Sequence, residues 1–396
     1  MKRLITIAVL ASLLITPLVQ AAPKKINVKP MQLLTTVGTP DEVSGAVVSG
    51  KSIIIFGTKT SKAYARAIDK SGKELWNLSL DQSASSIATA AAVDAAGELW
   101  ITGATQSATG LTPPVTPATP LNPDNAVIPP TSFADDLRVV SLWKVSAAGA
   151  PLLTSTLPTS SALFPTAITI DKNGVSVVGI MGTEKGNAGF LVNADTAGVF
   201  SKLLQIGSTS TTAESIVRHS DGTLTVAGSS SETLAGKKVV GVTDGVLVKV
   251  SKTLKIISVV RSSVTKGSRI WNSASSSLLL TGEVKAAGKT ETAVTKFSTS
   301  YAPSWTYRFS STGPSLSASA SQAFFISTGA IKQLNWNPKS PTPLLLSFDA
   351  KGFIIAADSG LVGQQEVLGL VTSKEFGVLA LTSSAESVSI FTLLPR

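Results

Sequence analysis

The sequence contains no cysteine and only one histidine in its 396 residues. The absence of cysteine excludes disulfide bonds and thiolate metal sites. A zinc site would depend almost wholly on carboxylates, and a Ser-His-Asp triad would need His219 as its base. His219 lies in a predicted turn, where we expect it to be a surface residue. We therefore expect neither a metal nor a cofactor, and catalysis is not the favoured interpretation.

Charge is also scarce, because charged residues make up only 15% of the chain while hydrophobic residues make up 43%. Long amphipathic helices usually draw on Glu, Lys, Arg and Leu, so this composition disfavours them. The basic residues are scattered, and the densest points are Lys24-Lys25 and Lys237-Lys238. A nucleic-acid site clusters cations and often interleaves aromatic residues, so no nucleic-acid partner is expected.

Long apolar runs are absent except at the N-terminus. Lys2 and Arg3 precede an uncharged run from Leu4 to Thr16, and residues 19–21 fit a signal-peptidase site. A membrane span needs about 20 apolar residues, so the run is too short for one. We interpret residues 1–21 as a signal peptide and predict a secreted, periplasmic or cell-surface protein without a transmembrane segment after cleavage. Losing the two positive charges of Lys2 and Arg3 lowers the formal charge from +10 to +8.

Residues 26–396 carry a degenerate repeat of two successive β-hairpins. Turn pairs such as Asn173-Gly174 and Asp221-Gly222 tolerate positive φ and indicate the first hairpin, and residues 65–76 give the clearest copy of the second. Two hairpins make a four-stranded antiparallel unit of roughly 45 residues, a period typical of propeller blades. The predicted first strands lie near Val43, Ile87, Ala167, Ser215, Ile270, Ala320 and Val367.

One strand stands outside these units. Residues 31–36 precede the first unit alone, and the seventh unit reaches only its third strand before the chain ends. We predict an all-β fold, a β-propeller of seven four-stranded blades in which the N-terminal strand completes the last blade. Such closure leaves few open sheet edges. Six or eight blades are alternatives, whereas a sandwich array is disfavoured because its domains need about 100 residues.

Single units resemble known secreted bacterial propeller repeats. The segment Asp244-Gly245-Val246-Leu247-Val248-Lys249-Val250-Ser251 resembles the D-G-x-x-V-K-x-S signature of SBBP-type repeats. Residues 67–76, which end in Trp76, resemble a repeat of the tryptophan-docked quinoprotein-like propellers, and Trp305 falls at the matching spacing. The resemblance covers units rather than the whole chain. It implies a propeller fold and no particular function.

A proline-rich insertion at 104–136 interrupts the repeat. Its seven prolines cannot join a sheet ladder and favour an extended, semi-rigid path. By strand count it joins the second and third strands of the second unit. The insertion is predicted to be a stiff loop, with a partner-engaging arm as the alternative.

Four carboxylates fall beside predicted first strands, which in a propeller line the central channel. These are Asp41, Glu42, Glu214 and Glu366, and Arg269 holds the equivalent place in another unit. Carboxylates gathered at the channel mouth would bind a cation or act as acid and base on a glycoside. A solvated, partly neutralised rim is the simpler interpretation.

One tryptophan lies outside the predicted strands. Trp336 is flanked by Asn335 and Asn337 in a polar loop, and a second long loop with Lys237 and Lys238 belongs to the same predicted face. An exposed tryptophan between amides is suited to stacking on a sugar or anchoring a protein. The alternative is a tryptophan that folds back on its blade.

The sequence thus favours an exported, monomeric binding or scaffolding module that engages an envelope or extracellular protein or glycan through its loops. The alternative is a propeller glycan hydrolase or lyase that uses the channel-mouth carboxylates. A close pair of carboxyls, about 5–10 Å apart in an open cleft, would favour the enzyme.

Overall fold

The computed structural model describes residues 25–82, 84–107 and 137–393. Every regular element among them is a β-strand, so the all-β prediction is confirmed. No helix in these ranges is long and apolar enough to cross a membrane. The predicted signal peptide and residues 108–136 of the predicted insertion lie outside the described residues, whereas residues 104–106 belong to a strand.

The described chain begins with three short strands and continues as four separate antiparallel sheets, blades 1 to 4, each of four strands in chain order. The first three strands are β1 (Ile26–Asn27), β2 (Lys29–Pro30) and β3 (Gln32–Val37). Blade 1 contains β4 (Val43–Ser49), β5 (Ser52–Lys59), β6 (Lys62–Ile68) and β7 (Glu74–Ser79). Blade 2 contains β8 (Ser86–Val93), β9 (Leu99–Gln106), β10 (Leu137–Val145) and β11 (Pro151–Pro158). Blade 3 contains β12 (Leu163–Asp171), β13 (Gly174–Thr183), β14 (Gly186–Ala194) and β15 (Leu204–Ile206). Blade 4 contains β16 (Thr211–Arg218), β17 (Leu224–Ser230), β18 (Asp244–Val250) and β19 (Ile256–Ser262).

The remaining strands form one eight-stranded sheet, here the double sheet, and a fifth four-stranded sheet, here the closing blade. The segment after blade 4 comprises β20 (Ser268–Ala274), β21 (Leu279–Ala286), β22 (Lys289–Phe297), β23 (Pro303–Ala318), β24 (Gln322–Ser327), β25 (Leu334–Asn335), β26 (Thr342–Phe348) and β27 (Ile354–Ser359). All of these except β25 join the double sheet, with β2 at its edge, and β25 pairs with β1. The closing blade contains β28 (Glu366–Ser373), β29 (Gly377–Ser383), β30 (Val388–Leu393) and β3.

The sheets are arranged as a propeller, because their first strands and the central strand β23 of the double sheet contact one another in a closed circle. Strand β4 contacts β8, β8 contacts β12, β12 contacts β16, β16 contacts β20, β20 contacts β23, β23 contacts β28, and β28 returns to β4. The predicted closure by the N-terminal strand is confirmed, since Val37 pairs with Val388 and Gln32 pairs with Thr392 in antiparallel register.

The prediction of seven separate four-stranded blades is wrong, because the described residues contain five, together with the double sheet. The cause is β23, which pairs with β22 up to Ser310 and with β24 from Ser311 onward, without a loop between. Gly313 and Pro314 are residue types typical of turns, yet Gly313 adopts a φ of 129° and the strand bulges there and continues. Ala320, predicted in a first strand, lies in the turn after β23.

Apolar side chains fill the interfaces between sheets. Where the closing blade meets blade 1, Ile53 and Ile55 belong to one buried cluster with Leu381 and Ile390. Fully burying such a side chain contributes about 1.5–3 kcal/mol. Each sheet therefore depends on its neighbours for much of its core, as the hairpin repeat predicts.

Five-residue turns link the third and fourth strands at the end of the propeller that we call the turn face. In blade 1, the Asp69 carboxylate accepts backbone N–H bonds from Ser71 at 2.8 Å and Lys73 at 3.1 Å. The fourth residue, Gly72, has a φ of 83°, a conformation that favours glycine. In the next blade, Gly149 takes this place, and the indole of Trp76 packs over it and donates Nε1–H to the carbonyl of Ala147 at 3.1 Å.

Candidate binding face

The opposite end of the propeller, here the loop face, carries the connections between second and third strands and between successive sheets. Its longest described connections are residues 231–243 of blade 4 and residues 328–341 of the double sheet. The start of the predicted insertion also belongs to it, because residue 107 follows β9 and β10 begins at residue 137. Strands β9 and β10 are the second and third strands of blade 2, and residues 104–106 of the predicted insertion belong to β9.

A buried ion pair fixes loop 231–243. Arg261 Nη1 lies 3.3 Å from Asp244 Oδ2, and the two side chains are 7% and 0% exposed. The same carboxylate accepts backbone N–H bonds from Val240 and Gly241, both at 2.9 Å. Burial alone would raise the pKa of Asp244, but these hydrogen bonds outweigh it and hold the pKa below its usual range. Removing the charge of Asp244 would therefore strongly destabilise this loop, because Arg261 would remain buried without its partner.

The guanidinium of Arg261 also spans the loop from below. It donates Nη1–H to the carbonyl of Ser230 at 3.2 Å, Nε–H to that of Lys237 at 3.2 Å, and Nη2–H to that of Glu232. One side chain thus satisfies three backbone carbonyls that the irregular path would otherwise leave without partners. This arrangement gives the loop a single defined conformation.

Glu232 ties the same loop to the connection between blades 3 and 4. Its carboxylate accepts backbone N–H bonds from Ser208 at 2.8 Å, Thr209 at 3.1 Å and Ser210 at 3.2 Å. The hydroxyl of Thr211 donates a fourth bond at 2.7 Å. Burial alone would raise the pKa of Glu232, but the hydrogen bonds lower it to about 2. The carboxylate is therefore ionised and engaged internally, and is not a free surface charge.

The predicted lysines lie at the tip of this fixed loop. Lys237 and Lys238 are exposed, and neither side chain forms an ion pair with the part of the chain that the structure describes. Val240 and Val242 follow them and are 71% and 62% exposed. Cations and aliphatic side chains thus project together from one rigid loop.

Trp336 packs against its own sheet and is not an exposed platform. Its indole is only partly exposed, donates Nε1–H to Ser327 Oγ at 3.2 Å, and packs against the same core as Ile26. Asn335 donates to the side-chain oxygen of Asn27 at 2.6 Å, so the loop is used to hold the N-terminal segment. Asn337 is exposed. The contacts of the indole match the folded-back arrangement rather than a free stacking surface.

The loop face divides into a basic part and an acidic part. Six exposed lysines border the loops of blade 4 and the double sheet, and we call them the basic arc: Lys237, Lys238, Lys266, Lys289, Lys332 and Lys339. Loops 231–243, 263–267, 287–288 and 328–341 contain a single acidic residue, the internally engaged Glu232. This arc cannot be recognised from the sequence alone, because its six lysines are scattered along the chain. Counting loop charges after assigning strands would have found it.

Three of the four predicted channel-mouth carboxylates gather on the acidic side. Asp41 and Glu42 precede β4 and Glu366 begins β28, and these two first strands are in contact. Asp41 and Glu366 are exposed, whereas Glu42 lies 3.8 Å from the ammonium group of Lys59. This arrangement is the partly neutralised rim that the sequence favoured.

Glu214 is separated from them in both position and depth. It belongs to blade 4 and is the extra residue of a bulge between Ala213 and Ser215, whereas Glu366 lies two residues before the equivalent bulge of its own strand. Two residues correspond to about 7 Å along a strand. Burial raises the pKa of Glu214, and a hydrogen bond from Thr212 opposes that rise. The four predicted carboxylates therefore do not gather at one channel mouth.

Arg269 does not balance these carboxylates. Its guanidinium carbon lies 4.9 Å from the ring centroid of Trp271, in cation–π geometry. Burial, together with the charge of Arg308, lowers the pKa of Arg269. Arg269 therefore packs against Trp271 instead of taking the position predicted for it at the channel mouth.

His219 is half-buried rather than fully exposed in its turn. Its Nε2 lies 2.6 Å from the hydroxyl of Thr225, which in turn lies 2.5 Å from the hydroxyl of Tyr301 in the next sheet. Burial lowers the pKa of His219, although the charge of Asp221 opposes this. The contacts make the imidazole part of an inter-sheet polar chain. Among the described residues, no group of three histidine or carboxylate side chains is placed to hold a metal ion.

A cleft with a volume of about 580 Å³ lies between blade 1 and the closing blade near the turn face. Lys51, Asp69, Lys70 and Glu375 line it, together with Phe376. None of the predicted site residues borders this cleft.

No protein-family model matches the chain, and no curated protein is significantly similar to it. Several solved structures are similar to it. The Dos1 propeller is 9% identical over 91% of this chain and 78% of its own, with a TM-score of 0.44. Hydrazine synthase of Kuenenia stuttgartiensis is 10% identical over 91% and 99%, with a TM-score of 0.49. Sqt1 of Chaetomium thermophilum is 10% identical over 91% and 98%, with a TM-score of 0.47. These similarities carry no functional information.

Proposed function

We propose that this chain is an exported, non-catalytic binding or scaffolding module that engages a protein or glycan of the cell envelope through its loop face. A propeller fold supports many functions, so the proposal depends on the site. The observation that supports it most directly is that loop 231–243 is held in one place and presents charged side chains. Buried Asp244 and Arg261 fix this loop, and its tip presents unpaired Lys237 and Lys238. A preordered loop loses little entropy when a partner binds.

We also propose that the double sheet works as two neighbouring blades, which gives the ring seven members. Strand β23 changes its partner at Ser311, so each half of the sheet has four main strands. The closed circle of first strands supports the same count. An experimental density map viewed along the propeller axis tests it, and unequal angular spacing of the two halves would contradict it.

The test of the binding proposal is quantitative capture from native envelope extract, together with a glycan array. The immobilised protein is the chain from Ala22 onward, and the loop variant carries Lys237→Glu and Lys238→Glu. A matched variant carries Lys252→Glu and Lys255→Glu, which are exposed on the turn face of the same blade. We expect the loop variant alone to lose the captured partner. Equal retention by both variants would refute the loop face as the binding surface.

A glycan hydrolase or lyase is the second candidate, and the raised pKa of Glu214 favours it, because a general acid must hold its proton near neutral pH. Its difficulty is that Glu42 and Glu366 lie on another part of the ring. Release of reducing ends from envelope glycans, abolished by Glu214→Gln, would support the enzyme. Activity that survives this substitution would remove Glu214 from any catalytic role.

A further inference from the structure

Exposed aliphatic residues lie at both ends of the basic arc. Val240 and Val242, on loop 231–243, are 71% and 62% exposed, and Leu361 and Val362, on the loop after β27, are 51% and 65% exposed. We call these four side chains the aliphatic tips. Loop 328–341 lies between the two pairs in chain order. The tips and the basic arc therefore belong to the same face of blade 4 and the double sheet.

We propose that the basic arc and the aliphatic tips form a peripheral docking surface for an anionic phospholipid bilayer. Lysines near such a membrane are attracted by its negative surface potential, at about 1 kcal/mol each. Small aliphatic side chains enter the boundary between headgroups and acyl chains and add hydrophobic attraction. The inference goes beyond the proposed partner binding, because it assigns a lipid surface rather than a protein or glycan.

Other anionic occupants fit the described residues less well. Single-stranded nucleic acid and sugar rings are usually bound by stacking on aromatic side chains, and Trp336 is engaged with Ser327 and the core. Arginine, which binds phosphate in a bidentate manner, is represented at loop 231–243 by Arg261, whose guanidinium is buried against Asp244. Neither alternative explains why valines lie beside the lysines.

A second copy of the chain is also a weaker occupant. The loops of the closing blade offer exposed Asp41, Glu366 and Glu386. If the six lysines of the basic arc faced these three carboxylates, half of the positive charge would remain uncompensated. An anionic bilayer has no such limit, because its headgroups are numerous and mobile.

Fixed loops make this docking a property of the folded surface. Asp244 and Arg261 hold loop 231–243 in place before any membrane is met, so ordering costs are small. The acidic side of the same face would be repelled. The protein is therefore expected to sit tilted, with blade 4 and the double sheet nearest the lipid.

The test is co-sedimentation of the chain from Ala22 onward with large vesicles of phosphatidylcholine alone or mixed equally with phosphatidylglycerol. We expect binding only to the mixed vesicles, and release as salt is raised, because salt screens exposed charges. Replacing Lys237, Lys238, Lys332 and Lys339 with Gln should weaken binding by at least about a hundredfold. These side chains are exposed, so the fold should be retained and circular dichroism should match.

A control with the same charge change is available on the turn face, where Lys70, Lys172, Lys252 and Lys351 are exposed. Replacing these four with Gln should leave vesicle binding nearly unchanged. If the two quadruple variants lose binding equally, net charge rather than the basic arc is responsible, and the proposal is wrong.

The contribution of the aliphatic tips is tested separately with Val240→Ser and Val242→Ser, which leave the charge unchanged. We expect about tenfold weaker binding to mixed vesicles. An unchanged affinity for mixed vesicles would show that the aliphatic tips do not insert into the bilayer.

Three results would overturn the docking proposal as a whole: equal binding to both vesicle types, no binding to either, or lysine-dependent binding to soluble polygalacturonate with none to vesicles. The last result would uphold a glycan partner at the loop face, so failure of lipid docking is distinguishable from failure of the proposed function. Lysine-dependent dimerisation in sedimentation velocity without vesicle binding would assign the face to a second copy.

Discussion

Replacing Asp244 with Asn probes the buried ion pair that fixes loop 231–243. The amide has nearly the shape of the carboxylate, so no cavity is created, but the charge that balances Arg261 is lost. Breaking a buried pair by removing one partner costs about 3–5 kcal/mol. Arg261 keeps hydrogen bonds to the carbonyls of Ser230, Glu232 and Lys237, so we expect a loss near the lower limit, about 3 kcal/mol.

The assay is guanidinium unfolding followed by tryptophan fluorescence, with hydrogen exchange at the amides of Val240 and Gly241 as a local readout. Both amides donate to Asp244, so their exchange should accelerate. Arg261→Met and the double variant complete a mutant cycle. The double variant should be less destabilised than the sum of the single variants, because Arg261→Met removes the unpaired charge. A loss below about 1 kcal/mol for Asp244→Asn, or strict additivity, would refute the argument.

Two further predictions concern the turn face. Gly149→Ala should be clearly more destabilising than Gly222→Ala. Both glycines have φ near 80°, at 84° and 81°, and so share a backbone cost of about 1–2 kcal/mol. A Cβ at Gly149 would lie 2.6 Å from the Trp76 ring, whereas one at Gly222 meets nothing closer than 3.7 Å; the added overpacking costs about 1–3 kcal/mol. Equal unfolding midpoints would show that the ring adapts freely. His219→Gln should flatten the pH dependence of stability. Burial lowers the folded pKa of this single histidine, so its contribution is present above the unfolded pKa of about 6.5 and is lost as pH falls through the folded value. Glu214 acts in the opposite sense, because its raised pKa favours the folded state at lower pH. Urea midpoints measured between pH 7 and about 5 check this, and a steeper slope in the variant would contradict it.

The closure of the fold was predictable, and its sheet boundaries were not. An isolated apolar strand at 31–36 and a last unit without a fourth strand determined the pairing of β3 with β30. Turn residues marked most hairpins, but Leu254 and Tyr301 hold positive φ where other turns have glycine, at 58° and 63°. The continuity of β23 gave no signal, because Gly313 and Pro314 are typical of a loop.

The candidate site was predicted less well than the fold. Lys237 and Lys238 were identified from the sequence, but the pair that fixes their loop joins two strands, β18 and β19, and depends on their register. Asp244 resembled part of a repeat signature, and only the folded structure places it beside Arg261. The sequence left two arrangements open for Trp336, because its partners, Ser327 and the N-terminal segment, are set by tertiary packing rather than by its own loop.

The pairing of Val37 with Val388 has a consequence for biogenesis. While the polypeptide emerges, β3 exists long before any strand that can accept it, and the edge of β30 is formed last. Until these two strands pair, the edges of both β3 and β30 lack hydrogen-bond partners. Open strand edges of this kind are the sites at which β proteins misassemble and aggregate. Assembly is therefore expected to finish in a single late step, when β3 pairs with β30.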